Sequence, residues 1–536
     1  MTVIRNPVLR GFNPDPSILR VGDDYFIATS TFEWFPGVQI HHSRDLRHWR
    51  LLTRPLVRKS QLDMIGNPDS GGIWAPCLSY ADGTFYLVFT DVKTHLGPFK
   101  DTHNYLVTAQ NIEGPWSDPI YLNSSGFDPS LFHDDDGRKW LVNMIWDHRK
   151  GKNRFGGIVL QEYSPEERRL VGPVFNIFRG TSLGLTEGPH LYKRNGYYYL
   201  VTAEGGTRYH HAVTVARSKS LFGPYEVDPE NPVLTSAGKP ELALQRAGHA
   251  SLVETQTGEW YFAHLCGRPL MPSQRCVLGR ETALQRVEWT DDGWLRLAGG
   301  GNSPRTEVPA PSLPEHPFEP EPETDHFDGE RISLHFQSLR EPIGEDWASL
   351  RQRPGYLRLK GRESLQSKHR QSLIARRLQS FEAEAETAVE FEPETFQQLA
   401  GLVCYYNTNN FYYLWISRDE ERGKCLGIMF RDRGRYDEPL AAPVPIEGWA
   451  RVHLKVTIRY DRLRFWYSRD GSAWTPVGPE LDATVLSDEN AEEKIDGIMI
   501  DQGFTGAFIG MCAQDLSGRG IYADFDYFTY RELDRP

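Results

Sequence analysis

The sequence predicts an all-β chain, a five-bladed β-propeller followed by a β-sandwich. Three observations carry that reading. The 536 residues include 48 glycines and 36 prolines, and aromatics reach 12%, a mix that favours short strands and tight turns over long helices. One hairpin-like segment returns five times at a nearly constant interval. A proline-dense stretch then separates those repeats from a region of period-2 alternation.

The repeats are DPSILRVGDDYFIATS from Asp15, APCLSYADGTFYLVFT from Ala75, DPSLFHDDDGRKWLVNM from Asp128, GPHLYKRNGYYYLVTA from Gly188 and HASLVETQTGEWYFAHL from His249, at steps of 60, 53, 60 and 61 residues. Each runs from a short apolar strand through a polar turn into a strand rich in aromatic and β-branched residues, the signature of a hairpin. Further strand-like sequence, such as VQIHHSRDLRHW, NYLVTAQ, GIVLQEY and HAVTVARS, completes four strands per unit. Five such units read as propeller blades. A solenoid of the same units would need capping repeats at both ends, and none is evident. In a propeller the innermost strand of every blade lines the axis, so equivalent positions form a ring around one cavity.

Residues 304–322, PRTEVPAPSLPEHPFEPEP, carry seven prolines. That density keeps a chain extended and excludes helix and central strand. The expected domains are therefore a propeller over 1–303, a linker over 304–324 and a sandwich over 325–536. In the last of these, RVHLKVTIRY alternates Val452, Leu454, Val456, Ile458 and Tyr460 with polar residues, and IYADFDYFTY closes the chain in the same manner.

Net charge is −12 and no basic tract of five or more residues occurs, which argues against nucleic acid as a partner. MTVIRNPVLRGFNPDP has no apolar core, and no run approaches the roughly 18 apolar residues of a span, so neither a signal peptide nor membrane association is expected. The six cysteines, at 77, 266, 276, 404, 425 and 512, form no CxxC pair. Free thiols in a reducing compartment, hence a cytoplasmic protein acting on imported small substrates, are the expectation.

The chemistry lies in the ring. Asp15, Asp128 and His249 occupy the same position in units one, three and five, and Glu187, in LTEGPH, immediately precedes it in unit four. Pro14, Pro16, Pro129 and Pro189 stiffen the backbone beside the acids. Crowded carboxylates repel and desolvate one another, which suits chemistry that needs one acid protonated and another ionised. Glycoside hydrolysis has that need.

NPDPS, GFDPS and TEGPH at these separations resemble glycoside hydrolase family 43. STFEWFPGVQIHHSRDL, GGIWAPCLSY, AEGGTRY and GRETALQ are similar to its β-xylosidase branch, in which the propeller precedes a jelly-roll or concanavalin-like sandwich. The resemblance spans the chain. It implies Asp15 as general base, Glu187 as general acid, and Asp128 as the group that tunes and orients the acid, with inversion at the anomeric carbon. Phe32 and Trp74 become apolar walls, and Thr207 lines the pocket. Arg280, with Arg286 as its rival, binds a sugar hydroxyl or a carboxylate. His249 either contacts a central ion, as in some relatives, or is a satisfied core histidine.

The resemblance also implies a sandwich loop across the propeller mouth. DQGFTGAFIGM at 501–511 is the candidate, with Phe508 or Phe504 inserting at the edge. A mouth closed in this way would restrict action to chain ends of short xylooligosaccharides. The expected activity is an inverting exo-β-1,4-xylosidase acting on xylobiose and longer oligomers, with α-L-arabinofuranosidase side activity. A main arabinofuranosidase activity, a retaining fructan-type glycosidase and a non-catalytic sugar-binding propeller are the alternatives. No cofactor is required. Ca2+ has one candidate place, the centre beside His249, whereas HDDDG at 133–137 reads as a hairpin turn rather than a calcium loop because its acids are consecutive and not alternating. RYHH at 208–211 reads as a polar blade edge. Relatives of this build imply a homo-oligomer, a dimer or tetramer.

Overall fold

Each repeat folds into its own antiparallel sheet. Blade one comprises Ser17–Val21, Asp24–Thr29, Gln39–Ser43 and Arg50–Thr53. Blade two runs from Gly72–Ala81 to Ile120–Asn123, and blade three from Ser130–His133 to Arg169–Phe178. Blade four starts at Glu187–Arg194 and adds the short strands Glu226–Val227 and Leu234–Thr235 to one edge strand, Ala212–Ser218. Blade five runs from Gln245–Glu254 to Leu295–Leu297. This computed structural model describes residues 2–495 and 498–533.

The first strands of neighbouring blades touch all the way round, including blade five against blade one, so the repeats close into a ring. Serines at the strand starts stitch that ring. Ser17 Oγ accepts the Leu78 N–H at 3.0 Å, Ser130 Oγ donates to the Pro189 carbonyl at 2.6 Å, and Ser251 Oγ donates to the Pro16 carbonyl at 2.8 Å. The serine of each DPS and of HAS therefore satisfies backbone groups of the next blade.

The proline-rich stretch is less extended than its composition predicts. Glu307–Pro309 pairs antiparallel with Val3–Arg5, and Phe318 packs back on blade one beneath Arg50, 4.8 Å from its ring centre. Proline is tolerated there because the pair is a two-stranded edge with Pro309 at its end.

Two sheets form the sandwich. One is ordered Ala348–Ser349, Leu357–Lys360, Tyr522–Glu532, Glu382–Glu390, Arg451–Arg459, Arg462–Ser468, Thr475–Asp482. The other is ordered Ser372–Arg377, Phe508–Asp515, Gln398–Asn407, Asn410–Asp419, Gly423–Asp432, Arg435–Asp437. Val452, Leu454, Val456 and Ile458 all point into the core, as the alternation requires. Tyr460 departs from it. The strand ends at Arg459, and Tyr460 sits in the hairpin turn at φ 56°, half exposed and stacked on Phe381. Among the described residues no helix is long and apolar enough to cross a membrane. All six cysteines are buried and unpaired.

The two domains interlock. Trp34–Phe35 of the propeller pairs with Ser338–Leu339 of the sandwich, and Phe508 stacks on Trp34 with ring centres 3.7 Å apart. Fully buried Arg340 donates to the Asn67 carbonyl and binds Asp69 at 2.7 Å, and buried Arg246 binds Asp488 at 2.8 Å.

Candidate active site

The five repeat-equivalent residues share one backbone conformation. Asp15, Ala75, Asp128, Gly188 and His249 have φ of 56°, 29°, 56°, 58° and 51°. Positive φ costs energy for any residue but glycine and clusters at functional sites. The strand ladders shift register at the same places, between Trp74 and Cys77, Glu187 and His190, and Gly248 and Ala250. In those three blades the inner strand thus starts with a kink, whereas in blades one and three Asp15 and Asp128 lie just ahead of strands that keep their register.

Asp15 is almost fully buried. Ser30 donates to its Oδ2 at 2.6 Å, Arg280 Nη1 lies 3.3 Å from Oδ1, and His249 Nδ1 is 3.6 Å away. Burial favours the protonated form, but Arg280, His249 and the Ser30 hydrogen bond prevail and hold the carboxyl below the usual carboxylate range. Glu187 has the opposite surroundings. Burial and then the charge of Asp15 push it up to about 8, against the pull of Arg280 and Lys100. Burial, with the charges of Glu187 and Asp15, also raises Asp128 well above its ordinary value. Asp128 Oδ2 accepts the N–H of Gly188 at 3.0 Å and so fixes the backbone next to Glu187.

Arg280 donates to Thr207 Oγ1 at 3.0 Å and to the Phe504 carbonyl at 3.0 Å, besides facing Asp15. Arg286, the rival, lies six residues along the same strand opposite Tyr261. Phe32 and Trp74 lie side by side, ring centres 6.3 Å apart, and both meet Phe504, at 5.9 and 5.8 Å. Phe508 does not reach this group. Its ring is fully buried against Trp34 and Phe12, one layer behind the wall. Phe504 therefore occupies the place expected for either ring.

The segment carrying Phe504 belongs to the sandwich but is held by the propeller. Ser70 Oγ donates to the Gln502 carbonyl at 2.9 Å and accepts the Phe504 N–H at 3.1 Å, and Arg208 Nη2 donates to the Gly503 carbonyl at 3.0 Å. Glycine is needed for this approach, since a Cβ on Gly279 would meet the Thr505 carbonyl oxygen at 1.9 Å.

His249 is buried, and burial lowers its basicity despite Asp15. The described residues hold no group of three His, Cys, Asp or Glu side chains spaced to bind a metal. His249 with Asp15 supplies two donors, too few to hold a central ion unaided. Asp134 of the HDDDG turn binds Lys193 at 2.7 Å and Tyr198 at 2.8 Å. RYHH is not a blade edge. His211 is buried with Nδ1 3.1 Å from the Arg246 carbonyl, and Arg208 binds Glu492 of the sandwich.

Sequence reasoning missed Ser30, Arg208 and Lys100. Lys100 Nζ donates to the His95 carbonyl at 2.7 Å and lies 4.5 Å over the Trp146 ring. Burial lowers it to about 8, with Glu187 opposing. Ser30 stood in plain sight in ATSTFEW, but Lys100 sits in GPFKDTH, where no motif marks it.

A propeller whose axis gathers an ionised carboxylate, a protonated carboxyl and a third acid, walled by aromatic rings, defines a glycoside hydrolase. The chain belongs to glycosyl hydrolases family 43. That family's domain matches residues 4–295, and the beta xylosidase C-terminal concanavalin A-like domain matches residues 324–531. A beta-xylosidase of Bacillus subtilis is 54% identical over 99% of both chains. A xylosidase/arabinosidase of Humicola insolens is 53% identical over 100% of this chain and 99% of its own. The crystal structure of a xylan beta-1,4-xylosidase from Bacillus halodurans superposes with a TM-score of 0.96 at 63% identity, covering 99% of this chain and 100% of that one.

Proposed function

We propose that the protein is an inverting exo-β-1,4-xylosidase that removes xylose from short xylooligosaccharides, with α-L-arabinofuranosidase side activity. The observation that carries this reading is the divided protonation of the site, with Asp15 held as the anion and Glu187 as the acid at neutral pH. Asp15 takes a proton from a water, whose oxygen attacks the anomeric carbon. Glu187 gives its proton to the glycosidic oxygen as that bond breaks. Asp128 holds the Gly188 N–H and keeps Glu187 in place. Phe32, Trp74 and Phe504 enclose the sugar ring, and Arg280 and Thr207 bind its hydroxyls. The sandwich segment at the mouth favours chain ends over internal bonds. The names of the similar proteins support xylosides as substrates and arabinosides as a second class.

The test is hydrolysis of xylobiose, an aryl β-xyloside and an aryl α-arabinofuranoside by wild type, Asp15→Ala and Glu187→Ala, with proton NMR of fresh product. Xylose release that collapses in Asp15→Ala, and an α-anomer appearing first, is the expected result. β-Xylose appearing first from the β-xylosides would remove Asp15 from the role of base. Absence of release from all three substrates would favour fructan hydrolysis or sugar binding instead.

A further inference from the structure

A second cleft, of about 750 Å³, lies at the seam between blade one and the sandwich. Its lining holds eight arginines against three glutamates, in a chain whose net charge is −12. Two of those glutamates are engaged, Glu321 by His335 at 2.9 Å and Glu532 by Arg10 at 2.7 Å. Four of the arginines are paired, Arg5 with Glu307, Arg10 with Glu532, Arg47 with Glu315 and Arg268 with Glu281, so the positive charge that the cleft leaves unbalanced is chiefly that of Arg54 and Arg377.

Two of its arginines are built in rather than scattered on the rim. Arg54 is 3% exposed and gives Nε and Nη2 to the Leu334 carbonyl. Arg377 is 5% exposed and gives Nε to the Phe12 carbonyl at 2.7 Å and Nη1 to Gln337. Among the described residues neither has a carboxylate partner, and Arg54 Nη1 and Arg377 Nη2 have no hydrogen-bond acceptor. His41, also on the lining and 8% exposed, has an unpartnered Nδ1. Buried charge without a counter-charge is costly, and a buried donor without an acceptor adds to the cost. Burial pushes Arg377 down to about 9, and burial together with Arg377 depresses Arg54 and His41. A multiply charged anion among these three groups would relieve each penalty at once. Guanidinium groups suit tetrahedral oxyanions because their forked donors match neighbouring oxygens.

We propose that this cleft binds a phosphate group, free or as the phosphomonoester of a small molecule, between Arg54 of the propeller and Arg377 of the sandwich. Its volume leaves room for the organic part of an ester beside the phosphate. The bound group would bridge the domains, because Arg377 also holds the backbone of Phe12, whose ring packs against Phe32 of the catalytic wall at 5.7 Å.

The test is calorimetric titration of the full-length protein with sodium phosphate, and separately with a pentose 5-phosphate, at ionic strength held constant with sodium chloride. One saturable site per chain is expected, undisturbed by xylose at a concentration that fills the catalytic pocket. Arg54→Gln and Arg377→Gln should each weaken binding by roughly 10-fold or more, the worth of a charge-assisted hydrogen bond. Both side chains are buried, so Arg50→Glu at the exposed mouth serves as a third variant that leaves the core intact and should also weaken binding. Equal affinity for the two ligands would mark free phosphate as the occupant, and tighter binding of the ester would mark a phosphomonoester. No saturable heat with either ligand overturns the proposal. So does binding that xylose displaces, or that no cleft substitution affects.

Discussion

At the scale of single residues, Asp15 and Glu187 sit in opposite electrostatic surroundings within one site. Arg280, His249 and Ser30 favour the anion at Asp15, whereas burial and the charge of Asp15 itself favour the acid at Glu187. With substrate well below KM, kcat/KM on xylobiose should fall as pH rises through about 8, where Glu187 loses its proton. Glu187→Gln should lower kcat/KM by ~10²–10⁴-fold and abolish that alkaline limb. The loss should shrink on an aryl β-xyloside with a good leaving group, which departs with less help from an acid. A pH–rate profile of the variant on both substrates checks this, and an unchanged alkaline limb would move the general acid elsewhere. The ring positions of Asp15, Asp128 and His249 were legible because the repeats align them, and Glu187 stood one residue from register. Ser30 and Lys100 were not, because each reaches the site from outside the repeat-equivalent positions.

At the scale of elements, the segment Asp501–Gly506 decides how the sandwich serves the site. Sequence pattern offered two phenylalanines for one role. Phe508 begins the strand Phe508–Asp515 and its ring is committed to the packing between the domains, against Trp34 and Phe12, while Phe504 precedes the strand and is free to lean on Phe32 and Trp74. The two substitutions should therefore separate. Phe508→Ala should cost ~3–5 kcal/mol of stability through the cavity it leaves. Phe504→Ala should cost less stability but lower kcat/KM by roughly 10-fold or more, the worth of one apolar wall. Urea unfolding and steady-state kinetics on both variants distinguish them. Equal stability losses with unchanged kcat/KM in Phe504→Ala would deny the segment a part in binding.

At the scale of the whole molecule, buried charge at the domain junction links stability to pH. Glu33 is fully buried, with Ser70 N–H on one oxygen, and burial followed by the charge of Asp69 raises it from 4.5 to about 8 despite Arg340. The folded state thus holds a proton that the unfolded chain releases near 4.5. The resulting stabilisation is fully present below that value and is lost as pH rises through about 8. Glu187 is raised in the same sense, so wild-type Tm should decline between pH 5 and 8, and Glu33→Gln should flatten part of that decline. An unaltered slope in the variant would place the ionisation of Glu33 elsewhere. Arg340→Met should cost ~3–5 kcal/mol, because it strands Asp69 as a buried charge. Chemical unfolding at pH 7 measures that loss.

The sequence by itself determined the repeat, the ring and the acids on it, because those follow from local alternation, turn chemistry and a period, all of which are linear properties of the chain. The division between propeller and sandwich was legible for the same reason. Tertiary structure alone decided which aromatic closes the wall, which arginine faces Asp15 and which carboxyl keeps its proton. Those outcomes depend on groups brought together from positions far apart in sequence, such as Ser70 with Phe504 or Arg280 with Asp15. Electrostatic effects also depend on distance and burial, neither of which a linear pattern encodes.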